Sequence, residues 1–243
     1  MSKRVLILGG GYTALWAYRS LAKRLRPALK RGEVELTVVT LDNFHAFHGW
    51  TGEVLSGIIP IQHSLTALRP LMPLAKLIHA EVERVDPVSQ TVQIRLVGEG
   101  ETAVLAYDHL LIATGSRDHL ETAPGLSEYG HRLKRPSDML ALRSHLIHVL
   151  EQAEAVTEGG NLRGRGDSGG AGPETRFLQA VVAGGGFAGV EMSATILDLV
   201  RAARRYYPVL QEHPFRVILV HRGEALLPQL RPQYAKLADY ATR

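Results

Sequence analysis

The chain has 243 residues, 45% hydrophobic and 21% charged, with a formal net charge of +4; this is enough for a packed core in one large or two small domains. No apolar run approaches the ~20 residues of a transmembrane helix, and the mild positive balance, without aromatic–basic interleaving, does not argue for nucleic acid. Cysteine is absent, which excludes disulfides, thiolate metal sites and redox dithiols within these residues.

In chain order, Met1-Ser2-Lys3-Arg4 shows no signal-peptide pattern and leads into an apolar strand at 4–8, so cytoplasmic residence is the default expectation. Three glycines follow, then a helix over 12–26 with Leu15, Tyr18, Leu21, Ala22 and Leu25 on one face. A Val- and Thr-rich strand at 35–40 completes a βαβ unit. Pro60, Pro70 and Pro73 punctuate the next stretch, where a short helix is expected around His63–Leu68. The period then changes to two. Glu81–Val85, Thr91–Val97 and Thr102–Ala106 read as an antiparallel β-meander, followed by a strand at His109–Thr114. Pro124-Gly125 and Pro136 bracket a linker, and Ser137 and Asp138 are suited to cap a helix to about Glu154. Residues 159–173 are mostly Gly, Arg, Ser, Asn and Asp and are expected to form a flexible loop; Arg165-Gly166-Asp167 inside it reads as a chance tripeptide. A second βαβ unit spans strand 177–183, helix 187–205 and strand 215–220. A last helix is expected from Arg231.

The two glycine turns carry most of the chemistry. Gly9-Gly10-Gly11-Tyr12-Thr13-Ala14 and Gly184-Gly185-Gly186-Phe187-Ala188-Gly189 both fit G-x-G-x-x-G/A. The first glycine permits a sharp turn, the second removes a Cβ so that backbone can approach a pyrophosphate, and the third, or an Ala, lets helix pack on strand. The helix N-terminus then points unpaired N–H groups at the phosphates. One such match is weak; two, each between strand and helix, point to two dinucleotides on one chain, most commonly a flavin and a nicotinamide. The expected fold class is α/β: two Rossmann-like dinucleotide-binding units, the first with an inserted antiparallel β-meander and the second incomplete.

These turns, with Asn43-Phe44-His45-Ala46-Phe47, Tyr107 to Ser116 and Pro124-Gly125-Leu126, resemble the two-dinucleotide-binding-domain flavoproteins. Within them they are similar to the type II NADH dehydrogenases, the NADH:quinone oxidoreductases. The resemblance implies an FAD-binding domain at 1–118, a linker at 119–136 and an NAD(P)H-binding domain at 137–243. It implies FAD at the first turn, on Gly9, Gly11, Tyr12, Thr13 and Ala14, with Val82 at the adenine and Ala113, Thr114 and Gly115 passing close to the cofactor. It implies NAD(P)H at the second turn, on Gly184, Gly186, Phe187 and Gly189, and it places Glu191 near nicotinamide and flavin. Glu191 is the catalytic candidate by that resemblance; the alternative reading is a first-turn helix acid favoured by the dipole.

Two positions depart from the family pattern. Thr40, with Asp42 two residues on, stands where an acid binds the FAD ribose. His221 and Arg222 stand where NADH enzymes carry an acid, and this leans towards NADPH or relaxed specificity.

The activity implied is hydride transfer from NAD(P)H to flavin and electron transfer on to a quinone. The alternatives are a flavin-dependent reductase of an iron–sulfur protein and a truncated, non-catalytic dinucleotide-binding protein. Full-length relatives carry a further C-terminal part with the quinone pocket and membrane-binding helices, so the chain is expected to be a fragment or a truncated relative. Peripheral membrane contact is expected only through that part, no nucleic acid is expected as a partner, and a homodimer is left open.

No metal site is expected: His45 with His48, and His145 with His148, lack a third ligand by spacing. Arg201, Arg204 and Arg205, beside Tyr206-Tyr207, read as a basic helix end.

Overall fold

The computed structural model describes residues 2–158, 178–223 and 226–227. Loop 159–173, its Arg165-Gly166-Asp167 tripeptide and the helix expected from Arg231 lie outside the described residues. The chain forms two compact units, Met1–Phe47 with Gln62–Asp118, and His48–Ile61 with His119–Arg243.

The first unit is built on a six-stranded sheet. Strands β1 (Lys3–Leu8) and β2 (Val34–Thr40) flank α1 (Tyr12–Lys30) and pair in parallel, Leu8 opposite Val39. The short strands β3 (Phe44–Ala46) and β4 (Leu65–Ala67) pair antiparallel as a separate ribbon, His45 opposite Thr66. After α3 (Leu68–Leu71) come β5 (Lys76–Asp86), β6 (Thr91–Leu96), β7 (Thr102–Ala106) and β8 (His109–Ile112), giving the order β7-β6-β5-β2-β1-β8. Both faces of β1 are covered, the condition under which a parallel strand reads as a continuous apolar run. Ile7, Leu36 and Val38 pack towards α1 with Ala14 and Tyr18, whereas Leu6, Leu8 and Val39 pack with Val92 and Ile94 of the meander.

Three local expectations change. The helix expected at 63–68 is instead a short 3₁₀ turn at Ile61–Ser64, then β4, then α3. Residues 65–67 are extended because β3 offers them a partner. α3 starts only where Pro70 falls in its first turn, a place that needs no N–H. Helix α1 runs past Pro27 to Lys30. The lost hydrogen bond there is offset by packing of Leu29 into the core, and the Arg31 N–H closes the helix onto the Pro27 carbonyl at 3.0 Å. The third change concerns the meander, which continues the parallel sheet. The first four residues of β5 pair in parallel with Thr37–Thr40, and its remainder pairs antiparallel with β6 through a bulge between Val82 and Arg84.

The second unit contains α2 (Thr51–Ser56), a turn of helix α4 (Leu126–Tyr129) and the long α5 (Pro136–Glu158). Next come β9 (Gln179–Ala183), α6 (Phe187–Ala203), α7 (Val209–Glu212) and β10 (Arg216–Val220). β9 and β10 pair in parallel, Ala183 opposite Val220. Asp138 in the first turn of α5 accepts the Arg135 N–H at 2.9 Å. The core gathers Leu142, Leu146 and Leu150 of α5, Met192 and Ile196 of α6, and the fully buried Leu55 of α2. Helix α2, far away in sequence, thus belongs to this core and packs on α5 and α6. Glu151 accepts the Tyr207 hydroxyl at 2.6 Å and Glu154 the Val209 N–H at 2.9 Å, which ties α7 to α5. Among the described residues no helix is long and apolar enough to cross a membrane.

Candidate dinucleotide-binding sites

The two turns share one backbone. Each leaves its strand through a glycine in the positive-φ region, Gly9 at +116° and Gly184 at +131°, a conformation that side-chain-bearing residues rarely adopt. Each helix then starts from an extended glycine, Gly11 at φ −81°, ψ −166° and Gly186 at φ −81°, ψ −175°. No side-chain hydrogen bond caps either helix at Gly11 or Gly186. A Cβ built on Gly11 or Gly186 meets nothing within 4 Å. Open space in front of uncapped N–H groups is what a pyrophosphate requires.

What holds each turn differs. A Cβ on Gly9 would collide with the Ala113 carbonyl oxygen; Ala113 is buried, and its N–H donates to the Leu8 carbonyl at 2.8 Å. Gly184 has no such neighbour. A Cβ on Gly189 would collide with the Gly184 carbonyl, whereas Ala14 keeps its Cβ fully buried. The middle glycines matter too. A Cβ on Gly10 would lie 2.6 Å from both Thr40 Oγ1 and Leu68 Cδ1, and one on Gly185 would lie 2.6 Å from the His221 ring. In each unit the residue at the end of the second strand therefore packs onto the middle glycine. Sequence reading passed over Gly10 and Gly185; their only signal was the run of three glycines.

Around the first turn, Thr40 is buried and its hydroxyl donates to the Asp42 carbonyl at 2.8 Å, while Asp42 itself is exposed. His45 Nδ1 lies 3.4 Å from the Gly10 carbonyl, and its ring stands edge-on to Tyr12 with centroids 4.6 Å apart. Thr13, Thr114 and Gly115 are exposed, and Gly115 has φ +74°. Val82 is half-buried where β5 has left β2 for β6.

Around the second turn, His221 Nδ1 accepts the Gly223 N–H at 3.2 Å, and Arg222 is exposed. The Leu227 N–H donates to the Gly185 carbonyl at 2.8 Å. Phe187, like Tyr12, is an exposed aromatic at the first helical position.

Glu191 is the fifth residue of α6, and the first turn of that helix holds no acid. The dipole account of Glu191 therefore loses its basis, because the effect fades beyond the first turn. Instead Glu191 faces α2. Gly52 is buried, and a Cβ there would lie 2.9 Å from Thr195 Oγ1 and 3.7 Å from Glu191 Oε1. Nothing in the local sequence marks Gly52, since its need arises from a helix more than a hundred residues away. Among the described residues no group of three His, Asp or Glu is placed to hold a metal ion. His131 and His145 stack at 4.6 Å, and burial, followed by the neighbouring His131 and His148, holds His145 below its ordinary value.

The sequence model of the pyridine nucleotide-disulphide oxidoreductase family matches residues 3–243. The chain is 27% identical to a type II NADH:quinone oxidoreductase, NdhA, of Mycobacterium tuberculosis, over 95% of this chain and 45% of the relative. It is 28% identical to an external mitochondrial NADH-ubiquinone oxidoreductase of Saccharomyces cerevisiae, over 98% and 41%. Its fold is similar to that of NDH2 from Plasmodium falciparum, solved in complex with NADH, with a TM-score of 0.77 at 18% identity; the match covers all of this chain and 47% of the other. The chain thus spans less than half the length of these relatives.

Proposed function

The chain belongs to the pyridine nucleotide-disulphide oxidoreductase family, and from that premise we propose that it carries the two dinucleotide sites of an NAD(P)H:quinone oxidoreductase of the type II kind. FAD takes the first turn and NAD(P)H the second. The observation that carries the reading is the duplicated turn: two glycine–glycine–glycine segments in one conformation, each opening into free space before an uncapped helix. The names of the relatives support the choice of quinone as acceptor. With no cysteine among the 243 residues, electrons do not pass through a disulfide within them.

The chemistry that FAD supplies when bound is acceptance of a hydride from the nicotinamide and onward delivery of its electrons. The residues of the chain bind and orient. The N–H groups that follow Gly11 and Gly186 hold the two pyrophosphates. Asp42, with its exposed acceptor oxygens, takes over ribose recognition, because the Thr40 hydroxyl already donates to the Asp42 carbonyl. His221 packs against Gly185 and shapes the turn, which leaves the exposed Arg222 to pair with a ribose 2′-phosphate. Glu191, held on α6 against α2, would position the nicotinamide or assist proton delivery.

Purified protein reconstituted with FAD is expected to show bound-flavin absorbance, and where the C-terminal part that the resemblance implies is also present, quinone is expected to accelerate its oxidation of NAD(P)H. Protein that stays colourless after reconstitution overturns the reading. A flavoprotein that reduces a ferredoxin but no quinone overturns the acceptor.

A further inference from the structure

Charge is unevenly placed along the chain. Residues 1–32 hold eight Lys and Arg and no Asp or Glu, so with 28 cations and 24 acids in all, everything after Gly32 is net acidic. Most of this charge lies on α1. At 100° per residue, Trp16, Arg19, Lys23 and Lys30 fall on one narrow stripe with Ser20 and Pro27, and Arg26 borders it. All are exposed, and Trp16 keeps 64% of its surface in solvent. The Arg19 guanidinium lies 5.1 Å from the Trp16 ring centroid.

A merely solvated helix interleaves acids with its cations. Here Arg19 and Lys23, and Arg26 and Lys30, stand four apart with like charge, a destabilising arrangement. The helix dipole accounts for cations in the last turn only, not for Arg19 and Lys23. Among the described residues none of Arg19, Lys23, Arg26 and Lys30 is ion-paired. The nearest acid in sequence, Glu33, is taken by Arg31 at 2.6 Å.

We propose that this face of α1 docks on an anionic lipid surface, in contrast to the expectation that membrane contact comes only through a further C-terminal part. The apolar side of the helix is already committed to the core around Ile7 and Val38, so contact is at headgroup level: cations against lipid phosphates, with Trp16 at the interface where indole rings settle. The stripe is straight, about 21 Å long from Trp16 to Lys30, and its cations Arg19, Lys23 and Lys30 outnumber its apolar side chains, Trp16 and Pro27. It therefore lacks the apolar centre of a protein interface but matches a flat, continuous sheet of negative charge. The inference does not depend on which cofactors the two turns hold.

The test is flotation of the protein with phosphatidylcholine vesicles, plain or containing about one-third phosphatidylglycerol. Binding is expected only to the anionic vesicles, with loss at about 0.5 M salt. The triple variant Arg19→Glu, Lys23→Glu, Lys30→Glu is expected to partition at least about 100-fold more weakly, at roughly fivefold per cation near the surface. The matched reversal of Arg201, Arg204 and Arg205 to Glu has far less effect, although it changes net charge equally. Circular dichroism checks that both variants fold; should the reversal unfold, the three positions changed to Gln serve instead. Equal binding to neutral vesicles, equal losses from the two triples, or preference for transfer RNA over vesicles at equal phosphate would each overturn the proposal.

Discussion

At the first glycine turn the residue leaving the strand is pinned from outside. Gly9 lies against the Ala113 carbonyl at the end of β8, while the helix tolerates a buried methyl at Ala14. At the second turn the strand-leaving Gly184 has open space beside its Cα, and the crowding has moved inside the turn, where Gly189 presses on the Gly184 carbonyl. The two backbones coincide nonetheless. One motif is thus stabilised in two ways, by a neighbouring strand in one unit and by its own helix in the other. The letter in the last place, Ala or Gly, follows from which of them does the crowding.

Substitutions separate binding from packing at these turns. The largest effect is expected at the positions with free space. Gly11→Val and Gly186→Val fit their extended backbone, and the added Cβ meets no atom within 4 Å, so circular dichroism should be unchanged. Affinity for FAD in the first variant and for NAD(P)H in the second should fall by at least about 100-fold, or about 2.7 kcal/mol. Titrations of each variant with both ligands check this; a crossed result would exchange the two site assignments.

Next come the crowded glycines. Gly9→Ala combines a positive φ with a clash against backbone, and should cost the first unit about 2.5 kcal/mol. Gly184→Ala carries only the φ penalty, about 1–2 kcal/mol. Denaturant midpoints rank them, and equal costs would dissolve the contrast between the turns. At the last motif position the order reverses. Gly189→Ala should cost about 2 kcal/mol by overpacking, and Ala14→Gly about 1 kcal/mol through helix propensity, before any loss of packing.

A smaller effect concerns the coenzyme. Arg222→Ala should lower the ratio of NADPH to NADH kcat/KM about tenfold, or about 1.4 kcal/mol. His221→Glu should move preference the same way by about 1–2 kcal/mol. An unmodified protein that strongly prefers NADH would remove the role assigned to Arg222.

The smallest expected effects are in pH dependence, and they differ in sign between the units. In the first, the Arg4 side chain and N–H hold Asp108 down to about 2 from an ordinary 3.8. A depressed carboxyl contributes stability above its ordinary value and loses it as pH falls through about 2. Asp108→Asn should therefore flatten the acid limb of the melting temperature between those values. In the second unit the hydrogen bond to Glu151, then burial, raises Tyr207 from 10.0 to about 12. That contribution is present below 10 and is lost as pH rises through about 12, so Tyr207→Phe should flatten the alkaline limb. Calorimetry across pH, with each variant beside the parent, shows whether the two limbs respond separately.

The βαβ units were legible from residues alone because their determinants are local. Apolar runs, a three-glycine turn and a helical period that follows it lie within about thirty residues of one another. The φ of Gly9 and Gly184 and the extended Gly11 and Gly186 follow from the same motif chemistry. The misread stretch at 63–68 shows the limit of local reading: those residues become strand only because Phe44–Ala46 lies alongside. Strand β5 likewise divides its pairing between β2 and β6, a choice that no window of its own sequence contains.

The sequence by itself determined the alternation of elements, the two phosphate-facing turns, the absence of thiol chemistry and the cationic run of residues 1–32, since composition and short-range spacing fix each of these. Only the tertiary structure decided that Thr40 and His221 pack onto the middle glycines, that Ala113 pins Gly9, and that α2 joins the second core beside Glu191. These are contacts between residues dozens to more than a hundred positions apart. Close packing selects them once the chain has folded, and no local periodicity encodes which distant neighbour a glycine must make room for.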